Sequence, residues 1–244
     1  MNIALVIPTY NEQANISQFI SEVFAVSKKA KLNTTIIVVD DNSPDGTAKS
    51  VGELKEKYSI VLIKREKKLG IGTAYIAGFK KALEMDFDLV FSMDADFSHQ
   101  PRSIPVLVEA SKRFDVVLGS RYVSGGGSNI AGYRLILSRG ANFIAGKLFG
   151  INARDLTTGF RCYRAVVLRG CGFELIRTSG YSFLEEILFL CKRKGFSIGE
   201  VPIFFDIRKS GQSKLGKKEI FNFFVNLIKL KLNSIFFSLP KKAC

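Results

Sequence analysis

The two carboxylates of Asp94-Ala95-Asp96 are the side chains best spaced to do chemistry. They follow the apolar run 89–93, which reads as a buried strand, so both stand where the chain leaves a sheet. Oxygen ligands in this arrangement suit a hard divalent cation, Mg²⁺ or Mn²⁺, which takes few protein oxygens and fills its remaining positions with water or phosphate. Such a cation offsets charge building on a departing diphosphate. The plainer alternative is a solvated loop, or a helix cap before Pro101.

A second acidic pair, Asp40-Asp41, closes the β-branched run 34–39. A carboxylate there suits a ribose hydroxyl or a base N–H. It equally suits an Asx turn leading to Asp45-Gly46. Arg121, Arg134 and Ser138 flank the Gly/Ser-rich segment 123–129, which reads as a mobile loop. Arg134 and Ser138 are four apart and share a helix face, where guanidinium and hydroxyl fit a phosphate monoester. A surface arginine with a capping serine is the structural alternative. Gly70-Ile71-Gly72 matches neither GxGxxG nor a Walker loop and reads as a tight strand-to-helix turn. His99, the single histidine, has no nucleophile pattern beside it and reads as structural or as a loop hydrogen-bond donor.

The elements that must hold these groups alternate in period. Strands are expected at 3–7, 34–39, 60–63 and 89–93, with helices at 15–27, from the turn 42–46 to about 57, and at 73–83. This alternation predicts an α/β fold, a mostly parallel Rossmann-like sheet flanked by helices. Ligands of such sheets bind beyond the carboxyl ends of the strands, and the polar clusters 8–12, 40–45 and 94–100 all fall there. The second half is less regular: a strand at 115–119, helices at 134–149 and 182–193, a strand at 198–207, then a polar loop at 209–217.

A length of 244 residues suits one well-buried domain, expected over 1–216, with an amphipathic tail over 217–244. The net charge of +14 points to an anionic partner: nucleic acid, a phosphorylated substrate or an acidic membrane surface. The basic residues are not interleaved with aromatics as in nucleic-acid-binding motifs, which argues against the first. The four cysteines form no CxxC pair, which argues against a zinc site or a disulfide framework and fits a reducing compartment. The start has no signal-peptide pattern, and no run reaches the 18 or so apolar residues of a spanning helix. In the tail, Lys218, Asn222, Asn226, Lys229 and Asn233 form a narrow polar stripe on an otherwise apolar helix. That pattern is expected to lie in a membrane interface or on a partner's membrane helix, the alternative being packing on its own domain.

Ile7-Pro8-Thr9-Tyr10-Asn11-Glu12, the segment from Val39 through Asp40-Asp41-Asn42-Ser43-Pro44-Asp45-Gly46 to Thr47, and Met93-Asp94-Ala95-Asp96 resemble the opening motifs of family-two inverting glycosyltransferases, which have the GT-A fold. Gly119-Ser120-Arg121-Tyr122, Ser138-Arg139-Gly140-Ala141-Asn142, Gly199-Glu200-Val201-Pro202 and the stretch from Arg208 to Leu215 are similar to the polyprenol (dolichol) monophosphate mannose synthases. The likeness runs in order from about Ile3 to Leu230.

The resemblance implies a dolichyl-phosphate β-D-mannosyltransferase. Its donor would be GDP-mannose and its acceptor a polyprenyl or dolichyl phosphate, at the cytoplasmic face of a membrane. It implies that Pro8, Tyr10, Glu12, Val39 and Asp41 hold the nucleoside. Asp94 and Asp96, with Ala95 beside them, would bind the diphosphate and Mg²⁺ or Mn²⁺; Arg121, Arg134 and Ser138 would hold the acceptor phosphate. Arg208 and Lys214, on a closing loop, would meet the donor diphosphate, making Asp94, Asp96, Arg121 and Arg208 the catalytic set. Glu186 aligns with an acidic position of the family and is expected to position. Ser98 stands where some relatives carry Gln as a further metal ligand. The length matches a short class that works with small membrane subunits. The alternatives are a UDP-glucose-dependent enzyme on the same acceptor, a hydroxyl-directed transferase, which usually carries a QxxRW-like motif absent here, and an inactive scaffold at the membrane.

Overall fold

A computed structural model describes residues 1–176, 178, 180, 182–206 and 225–231. The chain opens with β1 (Asn2–Thr9), α1 (Gln13–Lys29), β2 (Asn33–Asp40), α2 (Thr47–Leu54), β3 (Ile60–Lys64), α3 (Ile71–Glu84) and β4 (Leu89–Ser92). It continues through α4 (Ile104–Ala110), β5 (Val116–Ser120), β6 (Gly127–Ser128), α5 (Tyr133–Phe149), β7 (Arg161–Arg164), α6 (Ala165–Cys171), α7 (Phe183–Arg193), β8 (Ile198–Pro202) and β9 (Phe204–Phe205).

The main sheet runs β3-β2-β1-β4-β7-β5-β8, parallel except for β7, which lies antiparallel between β4 and β5. Because successive side chains of a strand point to opposite faces, β1 feeds two cores. Ala4 and Val6 join Tyr75, Phe79 and Phe183 on one face; Ile3, Leu5 and Ile7 join Ile16, Phe19 and Ile20 of α1 on the other. A strand buried on both faces must be apolar throughout, which is why residues 3–7 read as an unbroken run.

The register sets Pro8 beside Val39 and Thr9 beside Asp40, and pairs Val6 with Ser92. The loops after β1, β2 and β4 therefore open side by side, as the polar clusters at the strand ends required. Gly70, with φ 98°, makes the turn into α3 in a conformation that L side chains rarely adopt. Gly72 lets α3 close on the start of α7: a Cβ there would come within 2.8 Å of Phe183 Cβ and of the Thr178 carbonyl oxygen. The Gly-Ile-Gly segment is thus a turn and a packing contact.

Three features of the second half differ from the sequence reading. The strand β7 has arginine at both ends and no apolar run, so no periodicity announces it. The expected strand at 198–207 divides at Ile203 into β8 and β9. The Gly/Ser-rich segment contributes β6, which pairs in parallel with β9.

Residues 225–231 are helical. Leu227 joins the core, and Asn226 Nδ2 donates to Ser182 Oγ at 3.0 Å. Asn226, a member of the expected polar stripe, thus faces its own domain. Among the described residues no helix is long and apolar enough to cross a membrane.

Candidate functional site

The loop after β4 is held by its own side chains. Asp96 is buried, and its Oδ1 accepts hydrogen bonds from the Ser98 backbone N–H at 3.0 Å and the Ser98 hydroxyl at 2.5 Å. Ser98, which the sequence places near a metal, here fixes the Asp96 carboxylate. Phe97 between them takes φ 62°, a left-handed conformation costly for a side chain with a Cβ. Its ring is held edge-on to Phe19 at 5.4 Å between centroids. Strain of this kind persists where the surroundings impose it, and it gathers at functional sites.

Asp94 is partly exposed at 27% of its side chain. Its Oδ1 accepts from the Tyr75 hydroxyl at 3.2 Å. Burial, with the Asp94 charge beside it, pushes the Tyr75 phenol well above its ordinary range, so it stays a donor. His99 is buried against Phe160 and Phe205, with ring centroids at 5.5 and 5.6 Å. Burial lowers its pKa, and the Asp94 backbone N–H donates to Nδ1 at 3.4 Å. The imidazole is therefore a neutral acceptor at Nδ1, where the sequence suggests a donor. It braces the acidic loop without taking part in a triad.

The chemistry of this donor set fits a divalent cation. Among the described residues no group of three or more His, Cys, Asp or Glu could hold a metal alone. Two carboxylates, supplemented by phosphate and water oxygens, are the ligand supply that Mg²⁺ and Mn²⁺ accept.

At the β2 end the acidic pair divides its labour. Asp40 takes the turn role: its oxygens accept from Thr9 Oγ1 at 2.9 Å, Ser43 N at 2.9 Å and Ser43 Oγ at 2.6 Å. Asp41, expected to hold the nucleoside, is ion-paired with Arg65 through Oδ1, while Oδ2 accepts from Leu69 N at 3.3 Å. Its carboxylate is thus engaged within the protein. Val39 is fully buried, so only its backbone can face a ligand. Pro8, next to last in β1, is half-buried; Glu12 Oε2 accepts from Asn15 Nδ2 at 3.1 Å; the Lys68 ammonium lies 4.0 Å over the Tyr10 ring.

The acceptor candidates separate. Arg121 closes its guanidinium fork on Asp155, with Nε and Nη2 at 2.7 and 2.6 Å, and Nη2 also donates to Thr157 Oγ1 at 2.9 Å. The side chain is only 9% exposed. The guanidinium that the resemblance assigns to the acceptor phosphate is thus paired with the Asp155 carboxylate in this structure. Arg134 is exposed on α5, with Nε 3.4 Å from the Tyr133 hydroxyl. Ser138 Oγ accepts from the Tyr122 hydroxyl at 2.7 Å, which leaves its own O–H to donate. Arg208 and Lys214 lie outside the described residues.

Sequence reasoning does not single out Arg65, Tyr75, Asp155 or Glu185. Only Tyr75 carries a local signal, sharing the inner face of α3 with Phe79 at i, i+4. Glu186, expected to position, accepts from Thr178 Oγ1 at 2.6 Å, and burial raises its pKa.

The chain is similar to known proteins. The glycosyl transferase family 2 profile matches residues 4–172. An undecaprenyl-phosphate mannosyltransferase of Micrococcus luteus is 38% identical over 217 residues, 88% of each chain. A polyprenol monophosphomannose synthase of Mycolicibacterium smegmatis is 36% identical over 220 residues, 88% of this chain and 82% of the relative. Among solved structures, the glucosyl-3-phosphoglycerate synthase of Mycobacterium tuberculosis with Mn²⁺, UDP and phosphoglyceric acid superposes with a TM-score of 0.67 at 19% identity. The match covers 98% of this chain and 80% of that one. Adjacent acidic strand ends, a mostly parallel sheet and relatives that span most of the chain agree: it belongs to glycosyl transferase family 2 and is a glycosyltransferase.

Proposed function

We propose that the protein transfers mannose from GDP-mannose to a polyprenyl or dolichyl phosphate, with inversion at the sugar. The observation that carries this reading is the pair Asp94 and Asp96 at the β4 end, beside the β1 and β2 loops, in a chain whose relatives are polyprenyl-phosphate mannosyltransferases. Asp94 and Asp96 would hold Mg²⁺ or Mn²⁺, which supplies positive charge to the donor diphosphate. The M. tuberculosis synthase, solved with Mn²⁺ and UDP, supports a divalent cation.

The protein's own residues then orient and neutralise. A phosphate acceptor is anionic near neutral pH and needs no general base, so the protein has to aim it. Arg134 and the Ser138 hydroxyl on α5 are assigned to that phosphate. Pro8, Tyr10 and Glu12 are assigned to the nucleoside, together with the Val39 backbone and Asp41, the last acting through its pair with Arg65. Arg121 is a positioning residue that ties the end of β5 to Asp155. By resemblance Arg208 and Lys214 meet the donor diphosphate. In this reading residues 1–216 form the catalytic domain, 217–244 the tail, and the protein works peripherally at the cytoplasmic face of a membrane.

The test supplies labelled GDP-mannose or UDP-glucose with a polyprenyl phosphate and Mn²⁺, and follows label into the organic phase. Label from GDP-mannose is expected. Label from UDP-glucose alone reassigns the sugar, and no label from either with folded protein overturns the reading. Arg134→Ala is expected to raise the acceptor KM by roughly tenfold or more, the worth of one charged hydrogen bond, and to leave the donor KM unchanged. A rise confined to the donor KM removes Arg134 from the acceptor site.

A further inference from the structure

The strand β9 (Phe204–Phe205) is held from two directions. It pairs in parallel with β6 (Gly127–Ser128), and Phe205 also bridges antiparallel to His99 of the loop after β4. Glycines permit the close approach of β6. A Cβ on Gly126 would come within 2.5 Å of the Ser120 carbonyl oxygen, and one on Gly127 within 3.1 Å of the Phe204 ring. The segment after β5 can therefore fold back onto β9. There Gly127 N donates to the Ile203 carbonyl at 3.0 Å and Asn129 N to the Phe205 carbonyl at 3.3 Å.

Asp206, directly after β9, fastens both sides. Its backbone N–H donates to the Ser98 carbonyl at 3.1 Å, and the N–H and hydroxyl of the same Ser98 hold the Asp96 carboxylate. Its Oδ1 accepts from Asn129 Nδ2 at 2.6 Å, a short bond of the kind a charged acceptor makes. Its Oδ2 faces Gln100 Nε2 at 3.5 Å. The carboxylate selects that orientation of the Gln100 amide, because the flipped amide would set oxygen against oxygen. The cost is visible: Gln100 Oε1 is buried with no hydrogen-bond partner among the described residues. The Phe205 ring adds a second link, 5.6 Å from the His99 imidazole, whose Nδ1 accepts from the Asp94 backbone N–H. Phe205 and Asp206 thus touch the supports of both Asp94 and Asp96. They also hold the Asn129 segment that leads into α5, the helix of Arg134 and Ser138.

We propose that Asp206 is a positioning residue: it clamps the Asn129 segment to the loop after β4 and so sets the distance from the acceptor groups on α5 to the Asp94 and Asp96 pair. The proposal rests on the function above, which assigns the acceptor phosphate to α5 and the donor diphosphate to the acidic pair. In a transfer without a general base the rate depends on how the two substrates are aimed, and a misplacement of about 1 Å costs about 10²-fold. A clamp between the two half-sites acts on that alignment and leaves each substrate's own contacts intact. Its loss is therefore read in kcat and in neither KM.

Asp206→Ala, Asn129→Ala and the double variant, each in the full-length protein, test this. Each single variant should lower kcat by about tenfold or more, with donor and acceptor KM within about twofold of wild type. The double variant should fall no more than about twofold below the singles, because both remove the same link. Asp206→Asn should restore most of the rate: its oxygen still accepts from Asn129, and its amide N–H meets Gln100 Oε1 once that side chain flips. Amide hydrogen exchange reads the clamp without any transfer. In Asp206→Ala it should quicken by about tenfold in residues 94–100 and 126–130 together, with no substrate present. If Asp206→Ala unfolds, Asn129→Ala, at an exposed position, carries the same comparison. Exchange that is unchanged in either segment, losses that multiply in the double variant, or losses confined to KM overturn the proposal. A wild-type enzyme that transfers sugar beside variants of unchanged kcat removes the clamp and leaves the function. Exchange that rises in both segments of a protein that transfers no sugar leaves the clamp standing and removes the function.

Discussion

Replacing Asp94 by Asn is expected to lower transfer by about 10³-fold, the several kcal/mol that a bound cation contributes against developing phosphate charge. The melting temperature should stay near wild type. Asn keeps the shape of the side chain and an oxygen that accepts from the Tyr75 hydroxyl, so the 3.2 Å contact survives. Only the negative charge is lost. Asp96→Asn makes the same comparison on the buried member of the pair: its Oδ1 can still take both Ser98 hydrogen bonds. Turnover and Mn²⁺ dependence measured together decide the matter. A folded Asp94→Asn enzyme with near-normal turnover sinks the cation assignment. A loss that excess Mn²⁺ partly restores shows that the charge acted by holding the metal.

Glu185→Gln is expected to stabilise the protein above neutral pH and to change little near pH 5. Glu185 lies in the first turn of α7, 3% exposed, with no hydrogen-bond partner for Oε2 among the described residues. Burial drives its pKa up to about 7, against the opposing pull of Arg161. The fully buried Arg161 spends its own donors on the carbonyls of Leu156, Thr158 and Leu184. A raised carboxyl pKa means that the folded state holds a proton the unfolded chain releases. Its contribution is therefore complete below the unfolded value near 4.5 and is lost as pH climbs through about 7. The difference amounts to on the order of 3 kcal/mol, or roughly 6–12 °C in Tm for a chain this long. Thermal melts of both proteins at pH 5 and pH 8 provide the measurement. Parallel pH profiles would mean that Glu185 is solvated or paired in solution and that its burial is not as described.

Local chemistry is legible in the order of the residues. The strands β1, β2 and β4 declare themselves because burial on both faces leaves only apolar side chains, and the polar residues that end each run mark where a ligand can reach. Asp94 and Asp96 stand out for the same reason, as charges at the point where the apolar run ends. Asp40 and Asp41 are equally visible but not distinguishable in role: which one turns the chain and which one pairs depends on Arg65, 24 residues away from Asp41.

What only the tertiary structure decided is how charges and faces find distant partners. Arg121 is a phosphate candidate by type and spacing, and only the fold shows that Asp155, 34 residues on, pairs with its guanidinium at low exposure. The strand β7 exists because β4 and β5 present open edges on either side of it, and hydrogen bonding to both outweighs its weak strand composition. The outer face of α5 could not be read at all from periodicity. A helix apolar on both sides has no single preferred direction, and only packing of its inner side on the core shows which apolar residues are left exposed.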